Sequence, residues 1–100
     1  KPDLRIGRRL KLKDLQTLAA VCGAGSMSKA AVQLAMSQAA VSKALLEMER
    51  SLGFAVLERS ASGVEPTVAG RVLLDRSRAV FDELGEGLRE IEAFKSARPR

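Results

Sequence analysis

The chain has 100 residues, 46% of them hydrophobic and 29% charged, the proportions of one small globular domain and not of a disordered tail. It contains no histidine, one cysteine (Cys22), no tryptophan and no tyrosine. This removes Cys/His zinc sites, imidazole-based catalysis and any disulfide framework, while three phenylalanines leave little for stacking single-stranded bases. The expectation is therefore a binding protein, not an enzyme, with no cofactor.

The net charge of +5 is unevenly placed. Residues 1–13 hold Lys1, Arg5, Arg8, Arg9, Lys11 and Lys13 against Asp3, whereas residues 14–100 balance to zero. Residues 1–11 accordingly read as a flexible basic arm, equally suited to lying along phosphates or to being a solvated leader. The start is polar with no apolar run behind it, unlike a secretory leader. The longest charge-free stretches, 15–28 and 30–42, are too short to span a membrane. A lone thiol is compatible with a reducing cytoplasm.

Leu15, Leu18, Ala19 and Cys22 fall at i, i+3, i+4 and i+7, one face of a helix that Gly23 and Gly25 should end. Ser26 or Ser28 can cap a short second helix, with Ala30, Ala31 and Leu34 facing inward. After a break at Ala35 and Met36, Ser37 caps a third helix whose Val41, Leu45, Met48 and Leu52 share a face, and Gly53 stops it. Residues 54–59 and 64–66 are β-prone pieces around the turn formers Ser60 to Gly63, a small hairpin. Thr67 can then cap a helix reaching about Lys95, roughly 40 Å long and longer than so small a domain can cover.

Two helices joined by a tight turn and followed by a hairpin have the shape of a winged helix-turn-helix. The fold class is thus mostly α: three helices and a two-stranded wing over residues 12–66, then a long linker helix over 67–95. At about 100° per residue from Val41, the side chains of Ala39, Lys43, Leu46 and Arg50 point away from the core, with Ser42 on the flank. Gln38 lies nearer the core side but on the first turn, where a long side chain reaches past the helix end. A recognition helix presents that end to base edges in the major groove. There Gln pairs bidentately with adenine, Lys donates to guanine, Ser reaches base or phosphate, and Ala39 meets a thymine methyl.

Several other signals read as structural. The run Gly23 to Ser26 is a turn, since it follows a helix and lacks the ending of a phosphate loop. Glu47, Glu49 and Glu58 read as surface charges or ion-pair partners, Leu46 as an idle surface leucine, and Cys22 as a small core residue. In the long helix Leu73, Ser77, Val80, Leu84, Gly87, Ile91 and Phe94 follow alternating steps of four and three, with Leu88 beside them. A partner helix is the economical cover for this seam, although Ser77 and Gly87 interrupt it.

Four stretches in order carry a family resemblance: Gly25-Ser26-Met27-Ser28-Lys29-Ala30-Ala31, Met36-Ser37-Gln38-Ala39-Ala40-Val41-Ser42-Lys43, Leu52-Gly53-Phe54-Ala55-Val56-Leu57-Glu58-Arg59 and Pro66-Thr67-Val68-Ala69-Gly70. From Leu15 to about Phe94 the chain resembles the N-terminal DNA-binding region of LysR-type transcriptional regulators. The resemblance implies a bacterial, cytoplasmic transcription factor that binds double-stranded promoter DNA as a dimer or tetramer, its linker helices pairing antiparallel through Leu73, Val80, Leu84, Leu88 and Ile91. It also implies that residues 96–100 begin a hinge to a C-terminal domain that senses a small-molecule inducer. By position, Gln38, Ala39, Ser42 and Lys43 match recognition-helix contacts, Ser28 and Ser37 match phosphate-facing helix starts, and Arg59 with Ser60 matches the wing. Ala39 and Lys43 depart from the proline and arginine usual in the family, and a lysine lacks the fork that reads guanine bidentately.

The rival reading is a helical interaction or oligomerisation module without DNA binding, which the neutral charge of residues 14–100 favours. Salt dependence of duplex binding separates the two.

Overall fold

A computed structural model describes residues 5–97. In chain order the elements are α1 (Ile6–Arg9), α2 (Leu12–Ala24), α3 (Met27–Leu34), α4 (Gln38–Leu52), β1 (Leu57–Ser60), β2 (Gly63–Pro66) and α5 (Val68–Ala97). The two strands form an antiparallel pair in which Leu57 faces Pro66 and Ser60 faces Gly63. The fold is a mostly helical winged helix-turn-helix with a long C-terminal helix. The first four residues of the expected arm and the last three of the expected hinge lie outside the described residues.

The helix ends follow local chemistry. Gly25 closes α2 in the left-handed region at φ 69°, its N–H donating to the Val21 carbonyl. Ser26 and Ser37 cap α3 and α4, their Oγ atoms accepting from the N–H groups of Lys29 (3.2 Å) and Ala40 (3.0 Å). Between α3 and α4 the chain turns on Ala35, at φ 56°. The Met36 N–H reaches back to the Ala31 carbonyl at 2.9 Å, the six-to-one bond of a Schellman ending.

Three helices enclose the core. Leu18, Val21, Val41, Met48 and Val56 are fully buried, with Leu15, Met27, Ala30, Ala31 and Leu45 around them. Burial of each large side chain contributes about 1.5–3 kcal/mol. The inward face of α2 is rotated from the expected one: Ala19 is exposed, and Thr17 is buried in its place. Thr17 tolerates this because its hydroxyl donates to the Lys13 carbonyl at 3.0 Å, leaving no unsatisfied group. Cys22 is half-buried against this core, and burial pushes its thiol above the ordinary value despite the opposing pull of Arg71.

Three boundaries differ from expectation. Residues 6–9, read as arm, form a helical turn, and Arg9 donates to the Leu52 carbonyl at 3.0 Å, satisfying an orphan acceptor at the C-terminus of α4. Gly23 lies inside α2, which ends at Gly25. The hairpin's first strand starts at Leu57, three residues late, because tertiary bonds use the backbone before it. The Glu49 carboxylate, expected to be a surface charge or ion-pair partner, accepts instead from the N–H groups of Val56 (2.7 Å) and Leu57 (3.2 Å). Thr67 donates through its hydroxyl to the Ala55 carbonyl at 2.8 Å and accepts from the Gly70 N–H at 3.0 Å, capping α5.

Gly70 is where α5 crosses that segment. A Cβ there would overlap the Val56 carbonyl oxygen, so only glycine permits the approach. From this anchor the 30 residues of α5 run about 45 Å. The radius of gyration is 16.3 Å, against about 13 Å for a compact domain of this length. Leu73 and Leu74 pack on the core and Ser77 is buried, but Val80, Leu84, Leu88, Ile91 and Phe94 are exposed.

Candidate nucleic-acid interface

The turn after α2, the start of α4 and the wing meet around an open cleft of about 270 Å³. It is lined by Gly25, Ser26, Met27, Ser28 and Gln38 on the helical side and by Arg59, Ser60, Gly63 and Val64 on the wing. Four of the residues singled out from sequence, Ser28, Gln38, Arg59 and Ser60, are thus brought together. The lining has one cation and no carboxylate, and the first turn of α3 adds the positive end of its dipole.

A backbone clamp sets the width of this cleft. The Val64 N–H donates to the Gly25 carbonyl at 3.3 Å, tying β2 to the α2–α3 turn. Gly63 makes this possible. It adopts φ 131°, and a Cβ on it would stand 2.5 Å from the Gly25 oxygen. This contact ties the wing to the turn that leads into α3.

The serines keep donor capacity for a ligand. Ser37 Oγ spends a lone pair on capping, which leaves its hydroxyl proton available. Ser26 and Ser28 share one hydrogen bond at 2.9 Å, so one proton of that pair remains free, whereas Ser60 donates to the Gly63 carbonyl at 3.5 Å and shares a bond with Ser62 at 3.0 Å. Arg59 is exposed on β1 opposite Val64. It enters no ion pair among the described residues, so its guanidinium is open to an anion.

Beyond the cleft, the outer face of α4 carries Ala39, Lys43, Leu46 and Arg50, all exposed, with Ser42 half-buried on the flank. Gln38 is also exposed, on the first turn of α4 and in the cleft lining. Ala39, Ser42, Lys43 and Ser37 lie outside the cleft lining and belong to this adjoining strip. An exposed helix face of mostly polar and small side chains, beside an electropositive cleft, suits a polyanion with a readable groove. Sequence reasoning missed Gly63 and Val64 as clamp residues and Glu49 as the anchor of the wing's first strand. For Gly63 a signal existed, a glycine at the end of a turn. For Glu49 none did, since its partners are backbone groups.

The sequence has known relatives, and the fold is shared with solved structures. The family described as "Bacterial regulatory helix-turn-helix protein, lysR family" matches residues 12–71. The chain is 38% identical over 85 residues to the uncharacterized HTH-type transcriptional regulator y4mQ of Sinorhizobium fredii, covering 85% of this chain and 28% of that protein. It is 39% identical over 91 residues to the HTH-type transcriptional regulator GbpR of Azospirillum brasilense, covering 88% of this chain and 27% of that one. The chain thus spans about a quarter of the length of the curated relatives it matches. The crystal structure of the CbnR_DBD–DNA complex superposes with a TM-score of 0.77 at 32% identity, over 89% of this chain and 100% of that one. The BenM_DBD/catB site 1 DNA complex shares the fold, with a TM-score of 0.83 at 23% identity over 90% of this chain and 100% of that one.

Proposed function

This chain belongs to the LysR family of bacterial regulatory helix-turn-helix proteins, and from that premise we propose that it is the sequence-specific DNA-binding part of a transcription regulator acting in the cytoplasm. In this reading α4 enters the major groove. Gln38 reads an adenine edge, Lys43 donates to a guanine and Ser42 reaches a base or phosphate, while Ala39 meets a thymine methyl. Ser28, Ser37, Arg59 and Ser60 hold the flanking phosphates. The observation that carries the proposal is the clamped cleft, which sets the wing's only cation-bearing edge beside the first turn of α4. The CbnR_DBD domain, of the same fold and 32% identical, is solved bound to DNA, and this supports the same partner here.

A homodimer through α5 completes the reading. Val80, Leu84, Leu88 and Ile91 are apolar side chains left exposed beyond the domain's own core, and Leu73 continues their line into that core. Charge favours an antiparallel partner. The first half of α5 carries Arg71, Arg76 and Arg78 against Asp75 and Asp82, and the second half carries Glu83, Glu86, Glu90 and Glu92 against Arg89 and Lys95. Antiparallel pairing sets each basic half against an acidic one. The matched stretch is only about a quarter of each relative, and a tetramer with control by a small-molecule inducer is proposed for a protein of their full length.

The test is affinity for duplex DNA as a function of salt. Release of counterions predicts a log–log slope of about −0.9 per phosphate contacted, with a selected sequence bound more tightly than a scrambled one. A flat dependence, or equal affinity for both duplexes, contradicts the proposal.

A further inference from the structure

A second charged cleft lies at the far end of α4. It encloses about 490 Å³ and is lined by residues of α1, the start of α2 and the last turns of α4. Arg8, Arg9, Lys11 and Arg50 supply four cations against Asp14 and Glu47. Arg9 is engaged with the Leu52 carbonyl, and Leu10 packs against the core, so the segment is seated on the domain. Among the described residues Arg8, Lys11 and Arg50 enter no ion pair.

Arg50 is also the last residue of the outward strip that begins at Ala39 beside the wing cleft. The 15 residues of α4 span about 22 Å, whereas a major groove is about 12 Å wide. A helix of that length entering the groove extends beyond its width, so its far end can meet the backbone opposite the one beside the wing. The wing cleft stands at one end and the basic cleft at the other.

Resting on the DNA-binding reading above, we propose that the basic segment before α2 is a second phosphate grip, in which Arg8, Lys11 and Arg50 hold the strand across the groove from the one held by Arg59 and Ser60. The occupant is the phosphate backbone of duplex DNA. Its contacts carry no base information, so they add affinity and register without sequence preference.

The experiment compares the chain with two double variants, Arg8→Ala with Lys11→Ala, and Arg8→Lys with Lys11→Arg, after thermal melts confirm equal folding. Affinity for a selected and a scrambled duplex is measured across salt. The alanine pair should make the salt slope shallower by about 2 and weaken both duplexes by the same factor. The charge-conserving pair should keep the original slope. An unchanged slope in the alanine pair overturns the proposal, and so does an equal loss in both pairs, which would mean a structural role. A parent chain with no salt-dependent duplex binding would instead refute the DNA-binding reading itself.

Discussion

Replacing Gly63 with alanine should disable the interface without touching any residue that meets DNA. The new Cβ would stand 2.5 Å from the Gly25 carbonyl oxygen, well inside contact distance, on a backbone held at φ 131°. A side chain in so sparsely populated a region costs of order 1–3 kcal/mol. Shifting the strand to relieve the overlap also breaks the bond from the Val64 N–H to Gly25, worth about 0.5–1.5 kcal/mol. Together these amount to roughly 2–4 kcal/mol, and at about 4–8 °C per kcal/mol in a domain of this size, Tm should fall by about 10 °C or more. Below the melt the wing should stand away from the α2–α3 turn, removing Arg59 and Ser60 from beside Gln38. Duplex affinity should drop on all sequences, and the salt slope should become shallower by about 1, the share of Arg59. Calorimetry and fluorescence anisotropy across a salt series report the two effects. A variant that melted and bound like the parent would refute the clamp.

The seam of α5 makes a separate prediction: Leu84→Asp places an unpaired charge between two helices and should yield a monomer by sedimentation. Paired half-sites would then lose affinity by a factor on the order of 10²–10⁴ while a single half-site changes little, and a variant that stayed dimeric would locate the contact elsewhere. Gly23 lies within α2 with open space around its missing Cβ, so Gly23→Ala should stabilise by about 0.8–1 kcal/mol, raising Tm by a few degrees. A fall in Tm would mean that α2 is not continuous there. Burial holds the Cys22 thiol above its ordinary range, so alkylation at neutral pH should be slower than for a free thiol. Because the folded state binds this proton more tightly, its contribution to stability is present below the unfolded value and lost as pH rises beyond it. Alkylation as fast as in unfolded chain would contradict the packing.

Helix identities were legible because short-range signals carried them. Ser26, Ser37 and Thr67 cap the helices expected of them, and Gly25 and Gly53 close theirs, each within four residues of its partner. The outward strip of α4 followed from the period alone. What was not legible depends on groups far apart in the chain. The late start of β1 comes from a carboxylate on Glu49 and a hydroxyl on Thr67, and Arg9 joins the domain through a carbonyl 43 residues away. The face of α2 was misread for a different reason: Thr17 looks polar, but a local bond to Lys13 makes it a core residue. At the interface, residue types were readable one by one, while their convergence on one cleft rests on the Gly25–Gly63 approach, which has no periodic signature.

If α4 reads bases while the wing holds the backbone, the two elements should fail differently when altered. Gln38→Ala and Arg59→Ala should be titrated against the selected duplex and every single-base variant of it. Gln38→Ala should lose about 1–3 kcal/mol on the selected duplex and become indifferent to the identity of one base pair. Arg59→Ala should weaken every duplex by a common factor and keep the full order of preference. Two variants with the same profile across the panel would contradict this division of roles.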